Sequence, residues 1–286
     1  MDPRILALYD EYTHAPLPRR AFLERLAALA GSATAASALL PLLENNYAQA
    51  AIVEPNDPRV ATERVRIKVP SGEMLAYVAT PRSGPARRAG VVVIHENRGL
   101  NPHIEDIARR LATDGFLAFA PDALFPLGGY PGDEEKAREV FPKLDQAKTR
   151  QDFIAGAKFL KAHAECTGHI GAVGFCYGGG MVNYLATQLG SDLSTGVAFY
   201  GSSPDLADVP KIKAPLMIQS AENDQRINDS WPGYEAALKA AGAKYERYLY
   251  AGTQHGFNNN TTPRFDAAAA KLAWDRTVAF FRANVK

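Results

Sequence analysis

The sequence predicts an α/β fold with a mostly parallel central sheet covered by helices on both faces. Three observations predict it. From about Ala61 to the C-terminus, strand patterns alternate with helix patterns. One strand, Gly90-Val91-Val92-Val93-Ile94-His95, is a continuous apolar run of the kind buried on both faces. The chain also has the size for one large core, with 286 residues of which 47% are hydrophobic.

Each element has its own signal. Val65, Ile67 and Val69 alternate with polar residues, and Met74 to Thr80 follows a Ser71-Gly72 turn, so an antiparallel hairpin is expected to open the domain. After the apolar run, Asn101 and Pro102 read as an N-cap and first-turn proline. Ile104, Ile107, Ala108 and Leu111 make the apolar stripe of the helix they start, and Gly115 ends it. There follow strand Phe116 to Ala120, helix Thr149 to His163, strand Ile170 to Phe175 and helix Tyr177 to Leu189. Strands Gly196 to Tyr200 and Pro215 to Ser220, helix Ser230 to Ala241, strand Tyr245 to Tyr250 and a helix from Arg264 complete the series. The irregular segment Leu124 to Gly132 follows a strand, where loops of such sheets build ligand sites, and is a candidate wall or lid.

Composition excludes several classes. Thirty-two Lys and Arg against 31 Asp and Glu leave a net charge of +1 without any long run of one sign, so no nucleic-acid or anionic-membrane surface is expected. The two cysteines, Cys166 and Cys176, read as a helix end and a strand end, a poor arrangement for a disulfide or zinc site. Neither metal nor cofactor is expected. Residues 1–50 stand apart from the domain at 51–286. Pro18-Arg19-Arg20-Ala21-Phe22-Leu23, an Ala-rich stretch and Ala48-Gln49-Ala50 resemble a twin-arginine export signal. The same residues also place Phe22, Leu23, Leu26, Leu29 and Ala30 at helical spacing, so periplasmic and cytoplasmic residence both stand. Gly31, Ser32, Thr34 and Pro41 interrupt the stretch, and no membrane span is expected.

The sharpest chemical feature is Gly174-Phe175-Cys176-Tyr177-Gly178-Gly179-Gly180, set between an apolar strand and a helix. A nucleophile elbow has a reactive residue at such a tight turn, flanked by glycines because side chains there would clash. The helix N-terminus favours the thiolate. The plainer alternative is a small buried cysteine at a Gly-rich helix start. A nucleophile needs a base and an orienting acid, in the chain order nucleophile, acid, base. His255 is the only histidine after Cys176 and so the base by elimination. The acid's loop, Ala221-Glu222-Asn223-Asp224, offers two carboxylates, and Asn-Asp is also a common turn pair.

From about Thr62 to Lys286 these motifs resemble the dienelactone hydrolase (carboxymethylenebutenolidase) family, which has the α/β-hydrolase fold. The match lies in Gly-x-Cys-x-Gly-Gly, Asp224 and His255-Gly-Phe, spaced 48 and 31 positions apart. The resemblance selects Asp224 over Glu222 and implies hydrolysis of a small-molecule ester or lactone through a thioester on Cys176. It likens His95-Glu96-Asn97-Arg98-Gly99-Leu100 to the family's Glu-containing loop, which makes Glu96 the partner of the resting cysteine. Read without the family, a carboxylate ending a buried strand must find a partner or be protonated, and the Cys176 thiol and Arg98 are candidates. The backbone amides of Asn97 and Tyr177 would form the oxyanion hole. The chain departs from the pattern where dienelactone-cleaving members carry an arginine for a carboxylate; here stand Asn258-Asn259-Asn260. Arg98 and Arg226 are the substitutes, with Tyr130, Phe125 and Trp231 as candidate pocket residues. The first 50 residues resemble an extension of a longer subgroup. Two rivals remain: acyl transfer on the same triad, diagnosed by diversion to added alcohol or amine, and a non-catalytic binding protein on a hydrolase scaffold.

Overall fold

The computed structural model of the chain describes residues 2–14, 17–43 and 51–286. Alternating burial in its second half marks the edge strand β1 (Val60–Val69), which pairs antiparallel as a hairpin with the more fully buried β2 (Gly72–Pro81). The apolar runs make β3 (Arg88–Ile94), β4 (Leu117–Pro121), β5 (Cys166–Phe175), β6 (Thr195–Phe199) and β7 (Leu216–Asn223), and β8 (Tyr245–Gln254) closes the series. All eight form one sheet in the order β1-β2-β4-β3-β5-β6-β7-β8. The neighbours from β4 to β8 all run parallel, which requires a crossover connection between them.

Among the described residues three helices precede the sheet: α1 (Pro3–His14), α2 (Arg19–Ala30) and α3 (Ala33–Leu43). The crossovers supply α4 (Pro102–Thr113), α5 (Glu134–Val140), α6 (Gln146–Ala162), α7 (Tyr177–Leu189), α8 (Gln225–Asn228), α9 (Trp231–Ala240) and the terminal α10 (Ala267–Asn284). The run at β3 is apolar throughout because it serves two cores. Val91 and Val93 join the stripes of α4 and α10 on one face, whereas Val92 and Ile94 join α6, α7 and α9 on the other. Asn101 caps α4 as its sequence demands, accepting from the Ile104 amide, and the four stripe residues of that helix are fully buried.

Several boundaries differ from expectation. The strand expected from Ile170 begins at Cys166, so this buried cysteine lies in β5 rather than at a helix end. β8 continues past Tyr250 to Gln254, through Gly252 at φ 73° and a register shift opposite Ala221 to Asn223. The last helix starts at Ala267, not Arg264, because Asp266 is its cap and accepts from the Ala269 amide. The segment 124–132 holds only a short turn at Phe125–Leu127, and the unforeseen α5 follows, capped by Asp133.

The N-terminal helices have a core of their own. Tyr12 stacks on the fully buried Phe22 at 4.2 Å, joined by Ile5, Leu8, Leu26 and Leu43. Gly31, at φ 85°, ends α2, and α3 departs at 110° to it. Among the described residues no single helix is long and apolar enough to cross a membrane. The Ala48-Gln49-Ala50 motif lies outside the described residues. Polar contacts fasten this layer to the domain: Tyr12 donates to Glu135 at 2.6 Å, Arg19 pairs with Glu135 at 3.2 Å, and Arg138 lies over the Tyr12 ring. Phe22→Ala should therefore cost this layer about 3–5 kcal/mol. Proteolysis within residues 1–43 is expected to quicken at least ~10-fold, with the main unfolding transition of the domain little changed.

Candidate active site

Between β5 and α7 the chain turns within one residue. Cys176 adopts φ 54° and ψ −110°, a conformation costly for any side-chain-bearing residue. The turn is possible because its neighbours are glycines. A Cβ on Gly174 would lie 2.1 Å from the Gly178 oxygen, and one on Gly178 would lie 2.2 Å from the Ile94 oxygen. The first turn of α7 is thus wedged against the end of β3, and the Cys176 amide donates to Phe199 of β6 at 3.0 Å.

Two further strand ends bring partners. Asp224 follows β7 and His255 follows β8, and both side chains are buried. The Asp224 carboxylate lies 2.6 Å from His255 Nδ1. That fixes the ring and leaves Nε2 buried, without a hydrogen-bond partner among the described residues. A second imidazole comes from α1. His14 Nε2 lies 3.3 Å from Cys176 Sγ, and the three atoms of His14, Cys176 and His255 lie within 4.8 Å of one another. On its far side His14 Nδ1 is 3.2 Å from Asp10 Oδ1, and that carboxylate also accepts from Arg264 Nη1 at 2.7 Å. The two imidazoles meet edge to face at 4.5 Å.

Charge decides the state of this cluster. Burial alone raises a thiol's pKa, but the imidazolium rings of His14 and His255 outweigh it and hold Cys176 well below the usual thiol range. Reciprocally, burial disfavours the charged form of His255, yet the thiolate and Asp224 push it up to about 10. His14 is also raised: burial opposes its charge, and the thiolate and Asp10 overcome that opposition and the repulsion from His255. The arrangement can hold a thiolate between two proton carriers.

Of the other residues singled out from the sequence, Glu96, Asn97 and Arg98 line the space beside Cys176 and His255. Glu96 Oε2 accepts from Asn259 at 2.8 Å, so one of the three asparagines holds the carboxylate and His14 holds the sulfur. Burial first and the thiolate second raise the Glu96 carboxyl, against the pull of Arg264 and Asn259. Arg98 donates to the Asn97 carbonyl at 3.0 Å and faces the Glu134 carboxylate at 3.7 Å rather than pairing with Glu96. Tyr130 donates to Glu134 at 2.9 Å and lines an adjoining cavity of about 220 Å³. Arg226 is exposed on α8. Glu222, the rejected acid, accepts instead from the Gly252 amide at the surface. Tyr177 stands at the first turn of α7, next to the sulfur-bearing residue.

Sequence reasoning missed His14, Asp10 and Arg264. The first two lie in a segment read as an extension or signal, and the third was absorbed into the expected C-terminal helix. The i, i+4 spacing of Asp10 and His14 was the available signal.

The topology and the elbow define the α/β-hydrolase class. The family model for the dienelactone hydrolase family matches residues 74–285, and a second model, YqhI-like, matches residues 1–31. The chain belongs to the dienelactone hydrolase family and is a hydrolase of that type. "Protein usf" of Aquifex pyrophilus is 34% identical over 72% of this chain and 91% of its own. A fragment of Escherichia coli K12 named "Putative hydrolase fragment YghX" is 46% identical over 38% of this chain and 96% of its own. A Klebsiella pneumoniae crystal structure described as "Putative Dienelactone Hydrolase" superposes with a TM-score of 0.71 at 27% identity, covering 78% of this chain and 98% of that one.

The elbow glycines give a direct check. Gly178→Ala forces a Cβ onto the Ile94 carbonyl and should cost about 3 kcal/mol or more. Calorimetry is expected to show Tm lowered by roughly 6–12 °C, with hydrolysis lost.

Proposed function

We propose that the protein hydrolyses an ester or lactone bond of a small molecule through a thioester on Cys176. The observation that carries this reading is the buried sulfur at the elbow, within 4.8 Å of a histidine whose far nitrogen is held by a buried aspartate. In the reaction the thiolate attacks the carbonyl carbon, and the amides of Asn97 and Tyr177 receive the developing oxyanion. His255 gives its Nε2 proton to the departing alcohol oxygen. It then takes a proton from water, which attacks the thioester carbonyl and expels the thiolate. Asp224 keeps the ring in the required tautomer throughout.

The space immediately beside the sulfur is about 20 Å³, room for a water molecule but not for a substrate. The adjoining 220 Å³ cavity shares Tyr9, Thr13, Arg98 and Glu134 with it and is the proposed approach for substrate. Arg98 and Arg264, both lining the site, are proposed to meet a carboxylate or other anionic group on that substrate, in the place of the arginine missing from 258–260. Glu96 couples to the sulfur electrostatically: a carboxylate there raises the thiol's pKa by as much as the thiolate raises its own.

Cys176→Ala should abolish turnover of ester substrates while leaving Tm nearly unchanged; wild-type-like hydrolysis by this variant would refute the nucleophile. His255→Ala and Asp224→Ala should each lower kcat/KM by ~10³ or more, and the double variant should be little worse than either, because the two act as a unit. A steady-state comparison of the three variants checks this. The pH dependence follows from the shifts. The thiol is lowered and His255 raised, so iodoacetamide alkylation should already be near its plateau at pH 7. kcat/KM should fall on the acid side as the thiol protonates and on the alkaline side, near pH 10, as His255 loses its proton.

A further inference from the structure

A single imidazole suffices for the proposed chemistry, yet two reach Cys176, and the one whose Nε2 lies 3.3 Å from the sulfur is His14. His14 arrives on the last turn of α1 with an orienting apparatus that repeats that of His255. Asp10 stands one helical turn earlier, so its carboxylate meets His14 Nδ1 at 3.2 Å, and the Asp10 carbonyl and Thr13 hydroxyl oxygens lie 2.9 and 3.0 Å from the same nitrogen. With three oxygens around it, Nδ1 carries the hydrogen in the neutral ring, and Nε2 presents its lone pair to the thiol. Arg264 clamps Asp10 at 2.7 Å, and the Asn97 side chain donates to the Thr13 carbonyl at 2.9 Å. The end of α1 is therefore tied to the proposed oxyanion loop and to the segment after His255.

We propose that His14, oriented by Asp10, is a second catalytic imidazole that takes the Cys176 proton, leaving His255 and Asp224 to serve the leaving group and the hydrolytic water. The inference rests on Cys176 being the nucleophile. The S–H bond breaks as an N–H bond forms at His14 Nε2, and the thiolate forms the S–C bond. The C–O bond breaks as the alcohol oxygen takes its proton from His255. Water then restores that proton to His255 while its oxygen bonds to carbon. The C–S bond breaks, and the thiolate recovers either its proton or its ion pair from His14. A helix serving only to block the site would need neither a base on the sulfur nor a carboxylate behind that base.

The groups facing the sulfur are His14 from α1, His255 after β8, Glu96 after β3, Tyr200 after β6, and Arg264. The test is His14→Gln in the full-length chain, with Asp10→Asn as the second variant. Iodoacetamide inactivation is followed against pH, alongside kcat/KM on an aryl ester. In His14→Gln the apparent thiol pKa should rise by about one unit or more, which is a tenfold or greater loss of thiolate on the acid limb. kcat/KM should fall at least ~10-fold, within the usual contribution of a positioned proton carrier. Asp10→Asn should show a smaller change in the same direction. A purely structural His14 would shift Tm and leave the alkylation profile in place, and a blocking helix would give faster alkylation and turnover; either result overturns the proposal. If the wild type hydrolyses no aryl ester, the alkylation profiles still decide the pairing of His14 with sulfur, whereas hydrolysis that survives Cys176→Ala defeats the nucleophile reading and with it the catalytic role of His14; an unmoved alkylation profile in His14→Gln defeats the role of His14 alone.

Discussion

The closeness of α7 to the ends of β3 and β6 governs the geometry of this molecule. A carbonyl oxygen 2.2 Å from where a Cβ would stand on Gly178 leaves no room for any residue but glycine, and Gly174 and Gly179 face the same limit. With the helix pressed in this way, Cys176 is pushed into a left-handed conformation and its sulfur is raised above the sheet. The strain persists because the surroundings over-determine it: the Cys176 amide is bonded to Phe199, and the cores on both faces are filled. Parallel strands put the ends of β3, β5, β7 and β8 on one edge. The loops bearing Glu96, Asp224 and His255 therefore converge on the point the elbow defines.

Burial gives these few groups their leverage. A thiolate or an imidazolium alone in such surroundings would be disfavoured, and each becomes stable only through the other. The directions are consistent across the cluster: the thiol goes down, both imidazoles go up, and Asp10 is held below the ordinary carboxylate range despite its burial, by His14, His255 and Arg264. Tyr200 moves the other way, raised first by burial and then by the negative charge of Glu96 and Cys176. The charged cluster is thus a set of interdependent states, and removing one member changes the protonation of the rest.

The domain was legible where local pattern and tertiary role coincide. The alternating residues of β1, the Ser71-Gly72 turn into β2, the apolar run at β3 and the cap at Asn101 each announce a structure that packing then confirms. The elbow was legible because its glycines are required by backbone collisions and so leave a fixed spacing. His255 and the loop of the acid were legible from their places after successive strands, but with Glu222 in the same loop the choice of Asp224 took the family resemblance as well. Boundaries were less legible. Gly252 looks like a strand terminator, yet β8 absorbs it in a bulge, and Arg264 falls in helical rhythm although Asp266 starts the helix later. His14 was illegible as a site residue. The i, i+4 spacing from Asp10 is a local signal that surface pairs share, and the meaning of this histidine comes from a partner at position 176.

The docking of α1 has a consequence in time. On the ribosome, α1 is made before the sheet and well before the segment bearing His255 and Arg264. Until that C-terminal segment emerges, Asp10 has no guanidinium to meet and His14 has no finished pocket to enter. The sulfur of a nascent chain is consequently without the ion pairs that make it reactive. The proposed nucleophile is therefore completed only when α1 meets the later segment that carries His255 and Arg264.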